Sequence, residues 1–103
     1  MSKQISPDEA RSALDEGCCF VDIRDPMSFQ GARIRSAIPL TMQNLDQFLA
    51  DVSTDTPLVV YCYHGHSSID ACGFLADKGY QDVASLQGGF EYWRQKYPDT
   101  VES

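Results

Sequence analysis

Nowhere in this chain do apolar side chains run for the ~20 consecutive positions that a membrane-spanning helix needs. The opening stretch M-S-K-Q-I-S-P-D-E has no apolar core of the kind a secretory signal carries, so the expected compartment is the cytoplasm. Positive charge is also scarce. Eight Lys plus Arg face 15 Asp plus Glu, and a formal net charge of -7 argues against a nucleic-acid-binding or anionic-membrane surface. Three of those eight, Arg24, Arg33 and Arg35, nevertheless fall in one short stretch. There is no G-x-G-x-x-G fingerprint and no phosphate loop ending in Gly-Lys-Ser/Thr, which removes the common nucleotide sites. Internal repeats, linkers and low-complexity tracts are absent as well. The four cysteines, at 18, 19, 62 and 72, form no C-x-x-C, and the neighbours Cys18 and Cys19 are badly placed to pair. Reduced thiols in a cytosolic enzyme fit better than a disulfide scaffold. At 103 residues the chain is large enough for one core and too small for two, so one domain over 1–103 is expected, with an ordered core of about 5–98.

What is present is organised around Leu58 to Ser68, L-V-V-Y-C-Y-H-G-H-S-S. An apolar run ends in Cys62, and a short polar loop leads directly into a helical pattern. Gly65 allows a sharp turn or a close approach, and Ser67 or Ser68 is suited to cap the helix. Backbone N–H groups in such a turn converge on one point above the sulfur and form a nest for an anion. A cysteine held by those groups and by the positive end of a helix has a lowered pKa and acts as a nucleophile. The alternative is that Cys62 is the last buried residue of a core strand, a common place for a free cysteine.

The rest of the chain alternates helix and strand patterns. Ser6-Pro7-Asp8-Glu9 carries an N-cap, a proline at the first helical position and a capping box, and Gly17 stops that helix. Residues 18–23 read as a buried strand interrupted by Asp22, and Pro26 opens a short helical turn carrying Phe29. Residues 31–40 read as an irregular connector with a brief strand near Ala37 and Ile38. Thr41 is expected to cap a helix whose Leu45, Phe48 and Leu49 face the core. After the Cys62 loop, Ile69, Cys72, Gly73, Leu75 and Ala76 read as a helix lining, with Cys72 in a packing role rather than as a resolving thiol. Residues 80–86 form a further strand. Gly88-Gly89 turns the chain, and Phe90, Trp93 and Tyr97 stripe a last helix that ends at Pro98. Together these imply a small α/β domain with a mostly parallel sheet and helices on both faces.

Binding groups of a parallel sheet gather outside the carboxyl ends of its strands, which brings Arg24, the Cys62 loop and Gly88-Gly89 to one edge. Arg24 has two readings, an active-site cation or an ion pair with Asp22 or Asp25. His64 and His66 flank the mouth of the site, as donors for an anion or as exposed spectators. Cys62, His64 and His66 are the right types for a metal, but an inward-directed amide turn throws alternate side chains outward and no second ligand cluster exists, so no metal is expected. A Ser-His-Asp mechanism lacks its G-x-S-x-G elbow.

Three spaced motifs, V-D-I-R-D-P-x-x-F at 21–29, C-Y-H-G-H-S at 62–67 and L-x-G-G-F-x-x-W at 86–93, are together specific. On them the chain resembles the single-domain rhodaneses, of the thiosulfate sulfurtransferase type found in the bacterial glycerol-3-phosphate regulon. The resemblance covers residue 5 to Pro98 and implies a five-stranded, mostly parallel sheet flanked by helices. It also implies a double displacement without metal or organic cofactor. In that scheme the Cys62 thiolate takes the outer sulfur of thiosulfate and passes it to cyanide or to a thiol acceptor such as thioredoxin or a small dithiol. The persulfide would sit within amides from Tyr63, His64, Gly65, His66, Ser67 and Ser68, with anion or structural support from Asp22, Arg24, Arg33 and Arg35. Two departures stand out. A-R-I-R-S-A at 32–37 replaces the family's usual G-H-I-x-G-A, and the loop lacks the arginine or lysine of larger rhodaneses. Weak affinity for thiosulfate is therefore expected. Rivals are a phosphatase or arsenate reductase of the same fold, which needs an arginine where Ser68 stands, and a non-catalytic binding module. A monomer or weak homodimer is expected, with exposed Tyr63 or Tyr92 as a candidate partner surface.

Overall fold

Leu58, Val59, Val60 and Tyr61 have no polar residue between them, and a strand of this kind requires cover on both faces. A computed structural model, which describes residues 3–103, supplies that cover. The elements run β1 (Lys3–Ile5), α1 (Pro7–Asp15), β2 (Cys19–Asp22), α2 (Pro26–Gly31), β3 (Arg33–Ile34) and β4 (Ile38–Pro39). They continue with α3 (Leu45–Asp51), β5 (Leu58–Tyr61), α4 (Ser67–Asp77), β6 (Val83–Leu86), α5 (Gly89–Lys96) and β7 (Val101–Glu102). Five strands form one sheet in the order β1-β6-β5-β2-β4, and every pairing in it is parallel.

Strand alternation divides the interior in two. Phe20, Val59, Tyr61 and Leu86 face Ala10 and Leu14 of α1 and Phe90 and Trp93 of α5. Val21, Leu58, Val60 and Val83 face Phe48 of α3 and Cys72 and Leu75 of α4. Both faces of the sheet are therefore roofed by helices, as the alternating pattern implied, and β5 lies at the centre with its carboxyl end opening on the Cys62 loop.

Helix starts follow from side chains that close their own hydrogen bonds. Ser6 accepts from the Glu9 N–H and Glu9 reaches back to the Ser6 N–H, a complete capping box, with Pro7 in the first turn. Asp25 caps α2 by accepting from the Ser28 N–H. Elsewhere the chain differs from expectation. Thr41 does not cap α3. It exchanges hydrogen bonds with Asn44 one turn earlier, and the helix starts at Leu45 with Asn44 at its N-cap. On α4 the inward residues are Ser68, Cys72 and Leu75, while Ile69 and Ala76 are exposed. A polar residue takes the core-facing position of the first turn because a polar atom waits there. The connector at 31–40 contains β3, and the chain continues past Pro98 through a 3-10 turn into β7, which pairs antiparallel with β3. The brief strand expected near Ala37 and Ile38 is β4, but two-residue strands carry no periodicity and nothing in the sequence announced β3 or β7.

That C-terminal return seals the α5 face. The Trp93 indole N–H, fully buried, donates to the Thr100 hydroxyl at 2.7 Å, and that hydroxyl donates to the Tyr97 carbonyl at 2.8 Å. Replacing Thr100 by Val keeps the shape but leaves the indole N–H without a partner. Thr100→Val is expected to lower unfolding free energy by about 1–3 kcal/mol, measured as a shift of the urea midpoint at unchanged slope.

Candidate active site

Cys62 follows β5 directly and is 6% exposed. A sulfur in that position faces the first turn of α4, whose leading N–H groups have no partner within the helix. The turn has no capping side chain; His66 occupies the N-cap without a side-chain bond, so neither Ser67 nor Ser68 caps it as expected. The sulfur takes that role. Cys62 Sγ accepts from the Ser68 N–H at 3.3 Å and from the Gly65 N–H at 3.2 Å, and the Ser68 hydroxyl lies 3.5 Å away. Burial pushes the thiol pKa up, but the Ser68 hydroxyl and the N–H groups of Ser68, Gly65 and His64 outweigh it, leaving Cys62 below an ordinary cysteine. Cys72, one helical turn from Ser68 and fully buried in the core, has no such donors, and burial pushes its thiol up to about 12.

The opposite sides of the loop peptides are held by α5. Its Phe90 N–H donates to the Cys62 carbonyl at 2.8 Å, and its Glu91 N–H donates to the Tyr63 carbonyl at 3.0 Å. A peptide unit is planar with C=O and N–H antiparallel, so a carbonyl drawn toward α5 turns the following N–H toward the sulfur. Two helix N-termini thus act on one loop from either side, α4 on the sulfur and α5 on the carbonyls. This close approach explains the glycines. Gly65 has φ +92° and an added Cβ there would stand 3.0 Å from the Gly88 N. Gly89 has φ +62°, and an added Cβ would overlap the Tyr63 carbonyl and come within 2.6 Å of the His64 N.

The outward side chains form the mouth. Tyr63, His64, His66 and Ser67 are exposed and, with Cys62, line a depression of about 190 Å³. That is well below the roughly 300–1,000 Å³ of sites that enclose drug-sized ligands, and it suits a small anion. Tyr63 is tethered: its hydroxyl donates to Asp25 at 2.7 Å and also meets the Ser28 hydroxyl. The Tyr63 hydroxyl, and then the Ser28 hydroxyl and N–H, hold the Asp25 carboxyl down at about 2. Among the described residues no group of three or more His, Cys, Asp or Glu is placed to hold a metal ion.

The three arginines are committed elsewhere. Arg24 is 7% exposed and grips Asp22, not Asp25, through its backbone N–H at 2.8 Å, Nε at 3.1 Å and Nη2 at 2.7 Å. Its guanidinium lies 4.1 Å from the centre of the Phe90 ring and 5.5 Å from that of Tyr63. The pair is a buried strut that ties the end of β2 to α5 and to the loop. Arg33 pairs with Glu102 of β7 and stacks over Phe29, and Arg35 pairs with Asp15. None of the three lines the depression at Cys62; each is paired with a carboxylate, the structural one of the two roles expected for them. Near in sequence, they part in space because β3 carries Arg33 off to β7. Ser85 of β6, whose hydroxyl meets that of Ser68 at 2.6 Å, carried one sequence signal, a lone hydroxyl in a buried Val-Ala-Ser-Leu strand. The amide caps from Phe90 and Glu91 had no signal beyond Gly88-Gly89.

A protein-family model for the rhodanese-like domain matches residues 6–96. The chain belongs to the rhodanese-like domain family. Curated relatives agree: thiosulfate sulfurtransferase GlpE of Stutzerimonas stutzeri is 45% identical over 97% of this chain and 92% of its own. That of Pseudomonas aeruginosa is 42% identical over 98% of this chain and 92% of its own. Among solved structures, the rhodanese-like domain of an Anabaena protein superposes with a TM-score of 0.85 over 100% of this chain and 80% of that one, at 21% identity. A Rhodopseudomonas palustris protein of unknown function, described as a possible tyrosine phosphatase, superposes with a TM-score of 0.78 at 26% identity, over 92% of this chain and 81% of that one.

Two outcomes follow from this rhodanese loop. Iodoacetamide at neutral pH should label Cys62 and leave Cys72 unmodified, as read by peptide mass; equal labelling would remove the amide cradle as the source of reactivity. Gly89→Ala should push α5 off the loop, turn the His64 N–H away from the sulfur, and slow Cys62 alkylation by roughly tenfold.

Proposed function

We propose that the protein is a thiosulfate sulfurtransferase working by double displacement through a Cys62 persulfide. The observation that carries this reading is a sulfur held by backbone N–H groups and one hydroxyl, in a loop with no arginine. The Cys62 thiolate attacks the outer sulfur of thiosulfate; a new S–S bond forms as the old one breaks, and sulfite departs with the electron pair. The outer sulfur of the persulfide then carries the negative charge and sits where the loop amides and the α4 N-terminus replace its water shell. A second nucleophile, cyanide or the thiolate of thioredoxin or a small dithiol, attacks that outer sulfur, and Cys62 leaves again as thiolate. His64 and His66 stand at the mouth, where each offers a donor to the departing sulfite. The naming of the 42–45% identical relatives as thiosulfate sulfurtransferases supports the reaction class. Sulfur is carried on the protein itself, so no cofactor is required.

Phosphate-ester hydrolysis on the same fold is disfavoured by the loop. Its oxyanion requires a guanidinium clamp. The position that would carry it is Ser68, fully buried and turned inward onto the sulfur. Because Arg24, Arg33 and Arg35 are paired with carboxylates, thiosulfate is held by amides and the helix dipole, which gives weak affinity. The setting that suits this chemistry is the cytoplasm, where thiols stay reduced, and among the described residues no helix is long and apolar enough to cross a membrane. The chain acts as a monomer or weak homodimer.

Incubation with thiosulfate should add one sulfur, about 32 Da, to the protein mass, located on Cys62 and removed by cyanide. Cys62→Ser should abolish both the added mass and turnover, while Cys72→Ser should keep them. An unchanged mass in the parent protein would sink the persulfide mechanism.

A further inference from the structure

Beyond the loop itself, the Ser68 hydroxyl that holds the sulfur has a buried partner on the α4 side whose role the chemistry above leaves unassigned. Ser68 is fully buried and Ser85 is 1% exposed. Two hydroxyls in an apolar interior are costly unless they satisfy each other or a third group. Their oxygens are 2.6 Å apart, and Ser68 Oγ is 3.5 Å from Cys62 Sγ. The β5–β6 register explains the meeting: Val60 pairs with Ser85, so Ser85 and Cys62, two residues beyond Val60, point to the same face of the sheet. The first turn of α4 lies over that face and presents Ser68 between them.

We propose that Ser85 is a positioning residue for Cys62, acting through the Ser68 hydroxyl, and that the pair forms a reversible donor chain that turns toward the sulfur whenever Cys62 is charged. A hydroxyl both donates and accepts, so the chain reverses by rotation of two O–H bonds with no heavy atom moving. In the thiol form, Cys62 S–H donates to Ser68 Oγ and Ser68 donates to Ser85 Oγ. On ionisation the thiol proton leaves to solvent through the mouth of the loop, the sulfur keeps only lone pairs, and the Ser68 hydroxyl turns to donate to it. Ser68 Oγ then accepts from the Ser85 hydroxyl, which polarises the bond to sulfur. The second half of the inference rests on the sulfur-transfer reading. In the persulfide the charge lies on the outer sulfur and Sγ is neutral, so the chain relaxes toward Ser85. When an acceptor takes the outer sulfur, the S–S electron pair returns to Sγ, and the chain turns back to stabilise the departing thiolate.

The test is the pH profile of Cys62 alkylation by iodoacetamide, followed on the Cys62 peptide with no sulfur donor present. Ser85→Ala should raise the midpoint by up to about one unit, slowing alkylation up to about tenfold below it. Ser68→Ala should raise it at least as far, and the double variant no further than Ser68→Ala, because Ser85 acts only through Ser68. Ser85→Thr, which keeps the hydroxyl, should hold the parent profile. If Ser85→Ala does not fold, judged by its thermal transition, Ser85→Cys, of similar volume and weaker donor strength, is read in its place. An unchanged midpoint on loss of the Ser85 hydroxyl would overturn the proposal. So would an equal shift in the Ser68→Ala background, which would mark packing rather than a donor chain. These arms need no thiosulfate, so a parent protein that gains no sulfur would defeat the sulfur-transfer reading and leave the alkylation result standing.

Discussion

A negative sulfur at the end of a buried strand needs a solvation shell, and the structure around Cys62 is arranged to supply one without water. Burial alone would make this the least reactive kind of cysteine, as it does at Cys72. The difference is the direction of a few N–H groups. The first turn of α4 leaves donors unpaired and aims that of Ser68 at Sγ, while Gly65 bends the chain so that its own N–H joins it. These groups are fixed before any substrate arrives, which is what makes a polar shell effective inside a protein.

That shell depends in turn on the far side of the loop. A peptide N–H can face the sulfur only while its neighbouring carbonyl is accommodated elsewhere, and α5 accommodates two of them. The Gly88-Gly89 turn brings α5 into backbone contact with the loop. The Asp22–Arg24 strut holds the Phe90 ring from beneath, and the Asp25 and Ser28 side chains hold Tyr63 from above. Removing one partner of a strut this deeply buried leaves an uncompensated charge, which is why a structural role for Arg24 outweighs a substrate-binding one. The acidic chain thus commits its clustered arginines to ion pairs that hold the frame.

Much of the fold was legible because it is written in local terms. Ser6 with Glu9, Asp25 with Pro26, and the apolar alternation of β5 each state a hydrogen bond or a buried face within a few residues. Thr41 misled because Asn44 offers an equally local partner one turn away. Ile69 misled because its apolar character says nothing of what the core-facing position must satisfy. Beside the Cys62 sulfur that position takes Ser68.

Sequence alone determined that Cys62 ends a central strand, that a glycine-bent loop without arginine follows it, and that the sheet around it is parallel and covered on both sides. These depend on period, spacing and side-chain type, which are properties of neighbours in the chain. Tertiary structure alone decided which groups meet the sulfur and its loop. Ser85 arrives from a strand paired with β5, Phe90 and Glu91 from a helix that follows it, and Arg24, Arg33 and Arg35 separate to three different carboxylates. Apart from the local Asp22–Arg24 pair, each of those choices is a hydrogen bond or ion pair between segments distant in sequence, and only the register of strands and the seating of helices brings the two halves together.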